Sequence, residues 1–152
     1  MIVKEIMSKD ITTVTADTSL MEAASLMCLY RYSGIPVVEN SELVGLIAEK
    51  DVLTELFPSL EDAMQSLATV NFGEKIKEYA SLMNKPVSSL MTQNLKTVSP
   101  DMPILKAAVI MANNRFRRIP VAANNKLLGM VSLGDVHKAI FHQSIKASQA
   151  SS

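Results

Sequence analysis

Ile35-Pro36-Val37-Val38, a polar step, then Leu43-Val44-Gly45-Leu46-Ile47-Ala48-Glu49-Lys50-Asp51-Val52 is read twice in this chain. It returns as Ile119-Pro120-Val121-Ala122, a polar step, then Leu127-Leu128-Gly129-Met130-Val131-Ser132-Leu133-Gly134-Asp135-Val136. Extending this match outward aligns Val3–Val52 with Val87–Val136 at a constant offset of 84 residues, without a gap and with 17 identities in 50 positions. Most other pairs are conservative, such as Ile6/Leu90, Leu20/Ile104 and Tyr32/Phe116. The chain is therefore a duplicated unit of about 50 residues, too small to close a core alone, so the copies are expected to pack on each other.

Each copy has the same local chemistry. Ile11–Val14 and Leu95–Val98 are β-branched segments that read as short strands. Asp17-Thr18-Ser19 and Pro100-Asp101-Met102-Pro103 follow as helix starts. Leu20, Ala23, Ala24 and Met27, matched by Ile104, Ala107, Ala108 and Met111, fall at i, i+3, i+4, i+7 and form a core-facing stripe. The Ile-Pro-Val and Leu-x-Gly runs around Glu39–Glu42 and Ala123–Lys126 read as β-hairpins. Pro36 and Pro120 place their strands at an edge, because proline cannot donate to a ladder. A second helix opens at Glu49–Asp51 and at Leu133–Asp135. The expected fold class is α+β: a duplicated β-α-β-β-α repeat with its helices segregated to one face. The expected division is repeat 1 at 1–57, a connecting helical segment at 58–86 broken at Pro58 and Asn71–Gly73, repeat 2 at 87–147, and a frayed tail at 148–152.

Composition narrows the function. The chain has 152 residues, 15 basic and 15 acidic side chains, one cysteine and no tryptophan, an ordinary globular mixture that needs neither disulfide nor metal. No run of about 18 apolar residues marks a membrane span or export signal, so a cytoplasmic protein with no membrane partner is expected. Cys28, without a partner, reads as a small buried apolar residue. Charge is uneven: residues 1–52 carry a net −4 and residues 87–152 a net +6. Such a basic segment suits nucleic acid, an anionic small ligand or an acidic neighbouring chain. Nucleic acid is the weakest of these, since no nucleic-acid motif accompanies the charge and Phe116 is the lone interleaved aromatic. There is no Walker loop, no Cys/His metal spacing and no placeable catalytic triad, so neither an enzyme nor a metal site is expected. His137 and His142, five apart on one helix, read as surface residues.

The repeated motifs, Met7–Val14, Gly34–Val38, Leu43–Ile47 and Asp51-Val52 with their twins 84 residues on, resemble a tandem pair of cystathionine-β-synthase (CBS) domains, a Bateman module. The resemblance implies two repeats packed sheet to sheet about a pseudo-two-fold axis, in a regulatory, non-catalytic module that binds an adenosine-containing ligand, AMP, ADP, ATP or S-adenosylmethionine, needs no cofactor, forms a homodimer and modulates an effector protein. The ligand motif of that family matches Gly129 to Asp135 in full, which implies that Asp135 accepts ribose hydroxyls and Ser132 reaches ribose or phosphate. Read without the family, Ser132 and Asp135 also form a capping box. Asp51 matches Asp135, whereas Ala48 stands where the hydroxyl belongs, so one site per chain is expected.

Arg117 and Arg118, just before Ile119-Pro120, match the family's phosphate-holding basic pair, and guanidinium forks suit phosphate oxygens. Repeat 1 lacks that pair but offers Tyr32, Ile35 and Pro36 as an adenine wall. Thr12, Thr13, Lys96 and Thr97 lie on segments whose backbone, by the same resemblance, reads the adenine edge. The rival from another class is a ligand-free dimerisation scaffold.

Overall fold

The structure is a computed structural model that describes residues 1–56, 64 and 71–150. Pro58 and residues 59–63 and 65–70 of the expected connecting segment lie outside the described residues. The elements run α1 (Leu20–Tyr30), β1 (Gly34–Glu39), β2 (Glu42–Ala48), α2 (Glu49–Leu56), α3 (Phe72–Leu82), α4 (Ile104–Asn113), β3 (Arg118–Ala123), β4 (Lys126–Ser132) and α5 (Leu133–Ala150), with single 3-10 turns at Val3–Glu5 and Val87–Ser89. This is the α+β duplication that the repeat implies.

Local chemistry sets the boundaries. Ser19 caps α1, its hydroxyl accepting from the Glu22 N–H at 3.1 Å, and Asn71 caps α3 through the Glu74 N–H at 3.2 Å. The hairpins turn on Asn40-Ser41 (φ 52° and 69°) and Asn124-Asn125 (φ 52° and 64°). Two consecutive left-handed residues make the two-residue turn that matches strand twist, and asparagine tolerates that conformation best among residues with side chains. The strands are hydrogen-bonded in the order β1-β2-β4-β3, which puts Pro36 and Pro120 on outer strands. In the β3–β4 pair Ile119 faces Val131 and Val121 faces Gly129, with a bulge after Val121.

The segments Ile11–Val14 and Leu95–Val98 are not strands but single parallel bridges, Val14 to Val37 and Val98 to Val121. Proline is the reason. Val14 N–H donates to the Pro36 carbonyl (3.1 Å) and Val38 N–H donates to the Val14 carbonyl (2.9 Å). The next rung toward the N-terminus requires an N–H from residue 36, which proline lacks, and Pro120 ends the Val98 bridge in the same way.

The chain divides into two compact units that cut across the sequence repeats. One gathers Met1–Ile11, Ser41–Leu43 and Lys96–Ser152; the other gathers Thr12–Asn40 and Val44–Leu95. In the first unit, Val3 N–H donates to Met102 C=O and Lys4 N–H to Pro100 C=O, both at 2.9 Å. This fixes Val3 in a core with Val98, Ile104, Ala107, Met111, Ile119, Val121, Val131 and Val136. Glu42 of β2 also pairs with Lys126 of β4 inside this unit. In the second unit, Val87 N–H donates to Thr18 C=O at 2.7 Å and Ser88 N–H to Ala16 C=O at 3.0 Å. Val87 thereby joins Val14, Leu20, Ala23, Met27, Ile35, Val37, Ile47 and Val52. Each repeat's opening residues complete the core built around the other repeat's helices and strands. The burial of Leu20, Ala23, Met27, Ile104, Ala107 and Met111 matches the stripe read from the sequence.

Two expectations are corrected. Cys28 is exposed, because on α1 it lies one residue past the buried Met27 and off the Leu20–Ala23–Met27 stripe. Of the tail expected to fray at 148–152, the described residues 148–150 are helical as the end of α5.

Candidate ligand site

In the first unit the site is built where β4 runs into α5. Ser132 N–H donates to Asp135 Oδ2 at 2.9 Å, and Asp135 N–H donates to Ser132 Oγ at 3.0 Å. The pair is a reciprocal capping box that holds the Asp135 carboxylate in one orientation at the first turn of the helix. Among the described residues no hydrogen bond reaches the other oxygen, Oδ1, and Asp135 is only half-buried. Arg118 stands opposite Ser132 in the β3–β4 register, and Leu133 N–H donates to the Arg117 carbonyl at 2.9 Å. Arg117, Arg118, Ser132 and Asp135 are therefore gathered at one end of the sheet. Both arginines are exposed, and neither has an ion-pair partner among the described residues. Ile119 and Pro120 are buried behind them, Ile119 in the core. Lys96 and Thr97 lie exposed on the segment leading to the Val98 bridge, where Pro120 leaves the Lys96 carbonyl without a rung.

In the second unit the corresponding carboxylate is differently engaged. Ala48 N–H donates to Asp51 Oδ2 at 2.9 Å, and Thr92 Oγ1 donates to Asp51 Oδ1 at 3.3 Å. Both oxygens of Asp51 are thus occupied, and Ala48 supplies no hydroxyl for the return bond. Thr92 was not among the residues expected from the sequence; its twin, Ser8, makes no such bond to Asp135 among the described residues. Tyr32 is half-buried, its hydroxyl 3.4 Å from Thr12 Oγ1 and its ring stacked 5.7 Å from that of Tyr30. Thr12 and Tyr32 are thus brought together, while Thr13 is exposed, Ile35 is fully buried in the core and Pro36 is buried.

A cavity of about 500 Å³ opens in the first unit, lined by Met1, Ile6, Asp135, Lys138, Ala139, His142, Gln143 and Lys146. Asp135 is the one expected site residue on its wall. The others on α5 recur at helical spacing from Asp135, a signal present in the sequence but without meaning until Ile6 is seen to face them. No group of three or more His, Cys, Asp or Glu among the described residues is placed to hold a metal ion, and none of the described helices is long and apolar enough to cross a membrane.

The family model described as the CBS domain matches residues 3–58 and again residues 87–142. The chain belongs to the CBS-domain family. This CBS-domain chain is 31% identical over 134 residues to the CBS domain-containing protein YhcV of Bacillus subtilis, covering 88% of this chain and 81% of YhcV. It is 30% identical over 136 residues to an inosine-5′-monophosphate dehydrogenase of Methanocaldococcus jannaschii, but spans only 22% of that enzyme. Among solved structures it is similar to the CBS-pair protein CBSX2 of Arabidopsis thaliana in complex with AMP, at 26% identity and a TM-score of 0.71, covering 94% of this chain and 98% of the other.

Proposed function

We propose that this chain is a regulatory module, without catalysis of its own, that binds an adenine nucleotide at the β4–α5 junction of its first unit. The observation that carries the reading is the Asp135 carboxylate. One oxygen is held by the Ser132 N–H while no hydrogen bond reaches Oδ1 among the described residues, and Arg117 and Arg118, without ion-pair partners among them, lie at the same end of the sheet. A carboxylate accepts from two ribose hydroxyls, and arginine forks donate to phosphate oxygens, so a nucleotide satisfies both groups at once. On this reading Thr97 and the Lys96 backbone carbonyl, left without a rung by Pro120, are the candidates to hold the base, with Pro120 as wall and Ile119 as the core packing behind it. The AMP bound to CBSX2 supports this ligand class. The arginine pair favours AMP, ADP or ATP over S-adenosylmethionine, which carries a sulfonium cation and no phosphate.

The second unit is not proposed as an equal site, since both Asp51 oxygens already accept a bond, from Ala48 N–H and Thr92 Oγ1, which leaves fewer lone pairs for a ribose than at Asp135. Ligand binding regulates only if it distinguishes two states, so the reading includes a homodimer or an effector protein that binds the loaded and empty forms unequally.

Calorimetric titration of nucleotide-free protein with AMP, ADP, ATP, GMP, S-adenosylmethionine and a short DNA duplex tests it. Selective heat with an adenine nucleotide, abolished in Asp135→Asn, is the expected result. Folded protein that takes up none of them would overturn the reading in favour of a ligand-free scaffold. Binding of DNA alone, lost steeply with added salt, would overturn it in favour of nucleic acid.

A further inference from the structure

The cavity along α5 has a chemistry that a nucleoside monophosphate does not use. Asp135 stands at one end, and Lys138, His142 and Lys146 follow on the same helix face, about 4.5, 10.5 and 16.5 Å further along the axis at about 1.5 Å per residue. Across from them Met1 and Ile6 supply apolar wall. Two lysines against one carboxylate leave the wall cationic. A volume of about 500 Å³ is within the range of small-molecule sites. A ligand anchored on Asp135 therefore has a row of cations leading away from the anchor, and only a ligand with charge beyond its first phosphate can reach it.

We infer that this cavity seats the distal phosphates of the nucleotide, so that the chain selects a polyphosphate, ADP or ATP, over AMP. This rests on the reading of Asp135 as the ribose anchor. Arg117 and Arg118 meet the phosphate nearest the ribose; Lys138 and Lys146 meet those beyond it, with His142 as a further donor. Charge-assisted bonds of this kind, even partly exposed, amount together to about tenfold or more in affinity.

Titrations with AMP and with ATP, both in EDTA, decide the matter on three proteins: the native chain, Lys138→Ala/Lys146→Ala, and the charge-matched control Lys106→Ala/Lys126→Ala. The native chain is expected to bind ATP about tenfold more tightly than AMP. The α5 double variant should erase that preference while leaving AMP affinity within about twofold, and the control should keep it. Equal binding of AMP and ATP by the native chain overturns the inference while leaving the nucleotide site standing, as does an equal loss of ATP affinity in both variants. Failure of either nucleotide to bind the native chain overturns the inference and the ribose anchor together. Circular dichroism melts confirm that each variant is folded, and both pairs of lysines are exposed, so neither pair supports a core.

Discussion

The backbone carbonyl of Ser8 lies 2.7 Å from the point that a Cβ on Gly129 would occupy, with Met7 Sδ at 2.8 Å from the same point. The opening segment of the chain crosses β4 here, where Ser8 and Met130 exchange backbone hydrogen bonds, and only a residue without a side chain permits the approach. In the second unit a Cβ on Gly45 would lie 2.7 Å from Met91 Sδ and 3.1 Å from the Thr92 carbonyl.

Gly129→Ala is thus expected to cost about 1–3 kcal/mol, because a hydrogen-bonded carbonyl must move. Gly45→Ala should cost less, since its nearest obstacle is the flexible end of a methionine. Urea unfolding of both variants against the native chain checks the order. Equal midpoints would mean that the Ser8 crossing is not rigid.

A second prediction separates capping from binding at Asp135. Asn keeps an oxygen to accept from Ser132 N–H, while its amide nitrogen cannot accept a ribose hydroxyl. Asp135→Asn should therefore keep most of the stability and lose the nucleotide, whereas Asp135→Ala should lose both, with about 1 kcal/mol gone from the melt. Thermal melts with and without AMP measure the two effects in one experiment. Retained AMP stabilisation in Asp135→Asn would remove the carboxylate from the ligand site.

Much of this was legible along the chain because it is local. The Leu20-Ala23-Met27 stripe follows from helical period, the Asn124-Asn125 turn from backbone tolerance, and the Ser132–Asp135 box from a three-residue spacing. What was not legible depends on residues far apart in sequence. Nothing near Val3 shows that it fills a core with Met111 and Val131. The Thr92–Asp51 bond spans 41 residues. The loss of the strands at Ile11–Val14 and Leu95–Val98 became readable only once Val14 was seen paired with Val37, next to Pro36, and Val98 with Val121, next to Pro120. Lys138, His142 and Lys146 were visible as a helix face, but a face has no function until Ile6 and Met1 are placed across from it.

The repeat allows one gain of stability to be designed. Ser132 Oγ accepts the Asp135 N–H, and Ala48, at the matching position before α2, cannot do the same for Asp51. Ala48→Ser is expected to complete the box in the second unit and add about 0.5–1 kcal/mol, although Ala48 is buried and the new hydroxyl must find that bond. A raised thermal midpoint confirms it, and a lowered one would show that the site has no room for the hydroxyl in the capping rotamer.

The unequal engagement of the two carboxylates also sets a stoichiometry. For Asp51 to serve a nucleotide, ribose hydroxyls must compete with the Ala48 N–H and the Thr92 hydroxyl for its lone pairs, whereas no hydrogen bond reaches Asp135 Oδ1 among the described residues. Titration should therefore saturate near one nucleotide per chain. Asp51→Asn should leave that site intact, and Asp135→Asn should abolish it. Thr92→Val frees Asp51 Oδ1 without changing charge, so a second, weaker binding event in that variant would show that the Thr92 bond is what closes the second site. If the native chain already takes two nucleotides with similar affinity, the Asp51–Thr92 bond does not restrain Asp51 in solution.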